Sequence, residues 1–334
     1  MQINSNPLKI DFGKLESFVY NYPDTNFFQS TFAHKFFNAV DFYEPVLLVA
    51  ESDGQYVGSL QGVIMKEGSG VKGYLSNRLI VFGGPLVQNS DKEITASLLK
   101  NLKSLSEKKS IYSQFRNLFD TNVLKSDFIN LGWQYEKHLN ILVDLTKSEE
   151  DLWRDVNSKR RNEIRRAERE GTTFDVLADK KYFPETYEIL QDVYNRAKLP
   201  LPDFKFFETA YDLLSHEHFK VFLALNDNKI IGTMYTLCYK GVIYDWYAGS
   251  YREYYKKYPN DLIPWKVFLW GKENGFYTFD FGGAGKPDVP YGVRDYKKKF
   301  GGEFVNFGRY EQIHKPNLFN IAKLGFKLYQ RFKL

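Results

Sequence analysis

Three consecutive lysines, Lys297-Lys298-Lys299, stand between Tyr296 and Phe300 and run straight into Gly301-Gly302. An ammonium held at such a turn can grip a phosphate, or stabilise the oxyanion that develops during acyl transfer. The competing reading is a lysine-rich turn that blunts a strand edge. Two carboxylates offer the complementary chemistry. Asp245 lies in Tyr244-Asp245-Trp246-Tyr247 and Asp280 in Phe279-Asp280-Phe281. A carboxylate set among aromatics at a strand end can have its pKa raised far enough to serve as a general base. For Asp280, just before Gly282-Gly283, a hydrogen-bonded turn carboxylate is the equal alternative. Tyr247 and Tyr296 flank these charged groups and are the candidate substrate contacts, because aromatic side chains line grooves as readily as they fill cores.

A second basic group follows Ser158. Arg161, Arg165 and Arg169 recur at every fourth position of a segment ended by Gly171, and so share one helical face. Guanidinium forks bind phosphates bidentately, which makes this face a candidate docking surface for tRNA or another phosphate ligand. Partial pairing with Glu163, Glu168 and Glu170 gives the competing picture of a solvated face. A third basic stretch, Pro316 to Leu334, alternates Leu318, Phe319, Ala322, Phe326, Tyr329 and Phe332 with Lys315, Lys323, Lys327, Arg331 and Lys333. Such a helix packs on its own domain or lies on an anionic membrane.

The rest of the composition removes whole classes of function. The five histidines have no ligand spacing with the one cysteine, Cys238, so no metal site is expected. A single cysteine also excludes an internal disulfide and favours a reducing compartment. The N-terminal residues lack the charge and apolar run of a secretory signal, and no apolar run reaches the ~18 residues of a membrane span. The expectation is a cytoplasmic protein, with peripheral contact at the inner membrane face through the terminal helix as an option. No P-loop, nucleophile elbow or dinucleotide fingerprint occurs.

The elements that position these groups are written twice. Val46 to Ile64 reads as two β-branched-rich runs around Ser52-Asp53-Gly54, and Val221 to Tyr235 is a near copy. Ala50 and Gly58 recur as Ala224 and Gly232 at one offset of 174 residues, too long for a solenoid and suited to domain duplication. Each hairpin is followed by a strand (78–82; 242–247), a helix (91–107; one carrying Leu262, Trp265, Phe268 and Leu269) and another strand (110–116; 277–281). The expected architecture is α/β, with mixed sheets flanked by helices and two domains, 1–150 and 151–315. Their boundary falls where the strand at 141–145 gives way to a helix beginning near Ser148.

Taken in order, Asn26-Phe27-Phe28-Gln29-Ser30, Gly83-Gly84-Pro85, Ser158-Lys159-Arg160-Arg161-Asn162-Glu163-Ile164-Arg165-Arg166-Ala167, Phe279-Asp280-Phe281-Gly282-Gly283 and Tyr296-Lys297-Lys298-Lys299-Phe300-Gly301-Gly302-Glu303 resemble the Fem peptidyltransferase family (FemA, FemB and FemX). The resemblance spans nearly the whole chain. It implies two fused acetyltransferase-type (GNAT-like) domains, with helix 316–334 packing back on the first. It also implies transfer of an amino acid from aminoacyl-tRNA to a peptidoglycan precursor, with no cofactor. By the same likeness Lys298 or Lys299 stabilises charge at the reacting carbonyl, while Arg196 and Lys35 face the precursor's diphosphate. Between Gly171 and Pro200 there is no room for the helical arm of FemA-type members, so the compact FemX type is the nearer match. An acyl-CoA donor is the alternative, although no Q/R-x-x-G-x-G/A pyrophosphate loop follows either GNAT-like strand. A non-catalytic binder of anionic polymers or membranes is the second alternative.

Overall fold

The computed structural model describes the backbone over residues 1–332 and the side chains over 1–214 and 217–325. The chain divides into two compact units, Met1–His138 with Asn306 onward, and Leu139–Val305. The first unit opens with β1 (Gln2–Asn4), α1 (Phe12–Asn21), α2 (Thr31–Ala39), β2 (Tyr43–Ser52) and β3 (Gln55–Met65). It continues through α3 (Gly70–Ser76), β4 (Arg78–Phe82), β5 (Leu86–Val87), α4 (Lys92–Lys109), β6 (Tyr112–Arg116), α5 (Lys125–Asn130) and β7 (Gln134–Glu136). The second comprises β8 (Asn140–Asp144), α6 (Glu149–Asp155), α7 (Ser158–Arg169), β9 (Thr173–Val176), α8 (Phe183–Arg196), α9 (Phe204–Leu213) and α10 (Ser215–His218). Then come β10 (Phe219–Asn226), β11 (Lys229–Tyr239), β12 (Val242–Ser250), α11 (Pro259–Glu273), β13 (Thr278–Gly283), α12 (Gly292–Lys298) and β14 (Glu303–Val305). Finally β15 (Arg309–Ile313) and α13 (Pro316–Phe332) return to the first unit.

Each unit is built on one mixed sheet. The first has the order β1-β2-β3-β4-β6-β15-β7 with β5 beside β3, and the second β14-β8-β13-β12-β11-β10-β9. In both, a hairpin leads to a strand, a helix and a parallel neighbour, so β2-β3-β4-α4-β6 repeats as β10-β11-β12-α11-β13. The copies agree residue by residue. Ala50 pairs with Gly58 and Ala224 with Gly232, and both ladders carry a bulge immediately after that alanine. The turns agree too: Asp53-Gly54 and Asp227-Asn228 all have positive φ, the type I′ geometry that suits the twist of a two-residue hairpin.

The paired glycines exist to let a helix approach. A Cβ on Gly58 would lie 2.9 Å from Ile94 Cγ2 of α4, and one on Gly232 would lie 2.9 Å from Pro259 Cβ of α11. An isoleucine methyl can rotate away, whereas a proline ring cannot. Gly232→Ala is therefore expected to destabilise by about 1–3 kcal/mol and Gly58→Ala by clearly less, read from denaturant midpoints.

The domain limits differ from the sequence expectation at both ends. β8 lies within the expected first domain, yet it pairs antiparallel with β13 (Val143 with Phe279) and belongs to the second unit's sheet. β15 lies within the expected second domain, yet it pairs with β6 and β7 of the first. Tyr310 of β15 stacks on Phe128 at 4.0 Å, filling the first unit's core. Neither strand carries a mark of which distant partner it will pair with, so the switch between domains could not be placed from local pattern.

In α13, Phe319 packs edge-on against Tyr112 at 5.2 Å, while Ile321 and Leu324 are exposed. The membrane option also drew on Phe326, Lys327, Tyr329, Arg331, Phe332 and Lys333, whose side chains lie outside the described residues. Among the described residues no helix is long and apolar enough to cross a membrane.

Candidate active site

The two copies part company where their parallel strands end. In the first unit β4 and β6 stay paired over all five residues, and Gly83 N–H then donates to Arg116 O at 2.8 Å. In the second unit β12 and β13 pair over only three positions, Val242 with Thr278, Ile243 with Phe279 and Tyr244 with Asp280. Beyond that both strands run on without pairing to one another. A β-bulge opposite Tyr235 and Thr236, with Trp246 as the extra residue, re-aims β12 at the same level. The second sheet therefore opens a notch at the carboxyl ends of two parallel strands, the place where α/β sheets commonly bind ligands.

Three charged side chains converge there. Asp280 occupies the last paired position of β13, and Asp245 follows the last paired position of β12. Lys297, from α12, donates to the carbonyl of Phe281 and places its Nζ 3.8 Å from Asp245 Oδ2. Asp280 is 2% exposed, and the Lys297 and Asp245 side chains 13% and 12%. Burial pushes the Asp280 carboxyl up to about 6, against the opposing pull of Gly282 N–H and Lys297. Gly282 N–H reaches Asp280 Oδ1 at 2.7 Å, and Asn140 Nδ2 lies 3.4 Å from each of its oxygens. Asp245 is also raised by burial, with Lys297 opposing. Burial, and then the nearby Asp245, raise the hydroxyl of Tyr194 on α8. Two largely desolvated carboxylates thus face one ammonium, an arrangement that can take a proton from an incoming amine and stabilise a negative oxygen in the same notch.

The lysine that reaches this notch is not one of the two singled out in the sequence. Lys298 and Lys299 are exposed. Lys298 lies over the Phe304 ring at 5.7 Å, and the Lys299 carbonyl accepts from Asn157 N–H at 2.9 Å. Tyr296 and Phe300, four residues apart, anchor one side of the α12 turn. At about 100° per residue, that anchoring turns Lys298 outward and leaves Lys297 and Lys299 on either flank. Pattern could have excluded Lys298, but only the tertiary surroundings choose between the other two.

The remaining candidates are scattered. Tyr247 packs its ring 4.8 Å from Phe207 and 5.7 Å from Tyr194, on the α8–α9 side of the second sheet. Tyr296 donates to Asn260 O at 2.5 Å. Arg196 pairs with Asp192 at 3.0 Å and donates to Tyr255 Oη and Ser250 O. Lys35 is exposed on α2 of the first unit. Arg161 departs from the expected phosphate surface, because its Nη1 donates to the carbonyls of Trp153, Arg154 and Val156, closing the end of α6. Arg165, over the Trp153 ring at 5.2 Å, and Arg169 remain exposed. Among the described residues no group of three or more His, Cys, Asp and Glu is placed to hold a metal ion.

Residues 158–298 match the family model for an acetyltransferase (GNAT) domain, a span from the start of α7 to the end of α12 that contains Asp245, Asp280 and Lys297. No curated protein matches the chain. Among solved structures it is similar to FemX, with 16% identity over 96% of this chain and 99% of that one at a TM-score of 0.74. It is also similar to L-PGS from Bacillus licheniformis (18% identity, 97% and 99% covered, TM-score 0.59). A tandem GNAT protein from the clavulanic acid biosynthesis pathway matches as well (10%, 94% and 98%, 0.62). At these identities the likeness is one of fold. The chain has a tandem GNAT-like fold, as the Fem resemblance implied, and its second half is an acyltransferase-type domain.

Proposed function

We propose that this chain is an aminoacyltransferase that moves an amino acid from aminoacyl-tRNA to an amine of a peptidoglycan precursor. The observation that carries the reading is the convergence of Lys297, Asp245 and Asp280 in the opened notch of the second unit. Support for the donor class comes from the company of the fold, FemX and a lysylphosphatidylglycerol synthetase being among its structural neighbours.

The acceptor arrives as an ammonium and gives a proton to the carboxylate pair, with Asp280, whose carboxyl burial pushes up to about 6, as the base. The freed amine attacks the ester carbonyl of the charged tRNA. A C–N bond forms and the C–O ester bond breaks; the terminal ribose oxygen leaves as a hydroxyl with the proton the carboxylate took, and the second proton shed by the nitrogen passes to the freed carboxylate and on to water. The Lys297 ammonium stabilises the transient oxyanion, and positioning supplies much of the remaining rate. Arg165 and Arg169, exposed on α7, contribute phosphate contacts to the tRNA, while Arg196, Tyr247 and Tyr296 of the second unit remain the proposed precursor contacts. Incubating the full chain with tRNA charged with labelled amino acids and a muramyl-pentapeptide precursor tests the reading. A precursor heavier by one aminoacyl residue is the expected product, and no transfer with any charged tRNA would contradict it.

The acetyltransferase domain match favours a second reading, an acyl-CoA donor. Its pyrophosphate would need free backbone N–H groups where β12 leads into α11. The residues there do not fit. Pro259 has no N–H, the N–H groups of Asp261 and Leu262 both donate to Tyr258 O at 3.1 Å, and the Asp261 carboxylate is buried in the same turn. Acetyl-CoA and free CoA are accordingly expected to leave the melting temperature unchanged. A concentration-dependent rise would move the assignment to the CoA donor.

A further inference from the structure

Lys297 comes from a run of three lysines on a helix of only seven residues, so something outside that helix must fix which one turns inward. Arg294 of α12 ties one side of it to the carbonyls of Lys286 and Val289, and against the face that carries Tyr296 and Phe300 packs Arg160 of α7. Arg160 is 8% exposed, and its guanidinium carbon lies 4.9 Å from the Tyr296 ring centre and 5.0 Å from that of Phe300. The same guanidinium pairs with Asp261 of α11, itself 6% exposed, and approaches Glu163 at 3.4 Å. Tyr296 completes the link by donating to the carbonyl of Asn260, the residue before Asp261. Two glycines carry the chain away. Gly301 has φ +85° with Asp155 3.0 Å from where a Cβ would stand, and Gly302 has φ +88° with Leu142 O at 2.7 Å.

We infer that Arg160 is a positioning residue whose planar guanidinium, seated against Tyr296 and Phe300 and tied to Asp261, fixes the rotation of α12 so that Lys297 alone reaches the carboxylate pair. A buried ion pair adds little net stability over an apolar pair, and a lysine would give Asp261 a charge partner without the flat face that two rings require. The pairing with Asp261 also anchors the device to the first turn of α11, the helix that follows β12. The inference rests on the assignment of Lys297 as the oxyanion-stabilising group, but its first readout does not depend on catalysis.

Reductive methylation of the full chain, followed by peptide mass spectrometry, reports the accessibility of each lysine. In the wild type Lys298 and Lys299 should react quickly and Lys297 slowly. Arg160→Gln should bring Lys297 to the rate of Lys298 and lower kcat by about 10²-fold, the scale of an ångström-level misplacement, with KM little changed. Arg160→Lys should recover only part of each. Tyr296→Leu leaves the Arg160–Asp261 pair in place and removes one wall, so it carries the test if Arg160→Gln does not fold. Lys159→Gln, exposed on the same helix, is the control and should alter neither readout. Unchanged protection of Lys297 in a folded Arg160→Gln or Tyr296→Leu protein would overturn the inference. Loss of that protection in a chain that transfers nothing from any charged tRNA would instead refute the proposed function and leave the positioning device standing.

Discussion

Lys297→Met is expected to lower the rate of aminoacyl transfer by about 10²–10³-fold, the usual cost of removing one oxyanion-stabilising donor. Substituting Lys298 or Lys299 costs far less, since neither ammonium enters the notch. Methionine keeps an unbranched stem in the space between Phe281 and Asp245, so the effect is expected in kcat more than in folding. Lys297→Arg separates charge from geometry. A guanidinium retains the positive charge but is broader than the ammonium that donates to Phe281 O, and should restore only a fraction of the rate. Steady-state kinetics of the single variants with one charged tRNA and one acceptor decide the matter. Equal losses in all three lysine positions would point to a diffuse basic surface and away from a site.

The second large effect concerns Asp280→Asn and has opposite signs for activity and stability. Asp280 must be ionised to accept a proton, so wild-type kcat should rise with pH through about 6 and the asparagine variant should lose that limb. For stability the folded pKa lies above the ordinary 3.8. The folded chain thus holds the proton more tightly than the unfolded chain between those two values. The stabilising contribution of Asp280 is therefore full below about 4 and is lost as pH rises through about 6. Asp280→Asn removes the cost of burying the anion and should stabilise the protein above pH 6 by about 2–3 kcal/mol, at ~1.4 kcal/mol per pH unit of displacement. The gain should fade towards pH 4. Gly282 N–H still finds an oxygen acceptor, and Asn140 can turn its amide to face the new one. Chemical denaturation at pH 4.5 and pH 7.5 reads both ends; a variant less stable than wild type at pH 7.5 would mean that Asp280 is held as a favourable anion.

The repeated unit was legible because its signals are local. The β-branched runs, the turn chemistry of Asp53-Gly54 and Asp227-Asn228, and the Ala–Gly pairs set 174 residues apart all act within a few residues of themselves. The burial of Asp245 and Asp280 was legible for a related reason, since a carboxylate flanked by aromatics at a strand end has few neighbours other than protein, and Asp280 also makes the turn hydrogen bond to Gly282 N–H that was its alternative reading. What could not be read depends on distant contacts. The pairing of β8 with β13 and of β15 with β6 is chosen between strands far apart in sequence. The inward lysine is chosen by Arg160 and Asp261, both remote from α12 in sequence. Arg161 has the spacing of a phosphate-binding arginine, yet three carbonyls at the end of α6 take its Nη1. Nothing about i, i+4 periodicity distinguishes that role from display to solvent.

Both donor readings place their chemistry in the same notch, so a direct contest between donors separates them. The full chain would be given one charged tRNA and one acyl-CoA together, with a muramyl-peptide amine as the acceptor, and the product weighed by mass spectrometry over time. The proposed function requires an acceptor heavier by the aminoacyl group, formed at a rate that excess CoA does not slow and that Lys297→Met nearly abolishes. An acceptor carrying the CoA-derived acyl group, or a product rate indifferent to Lys297, would contradict it.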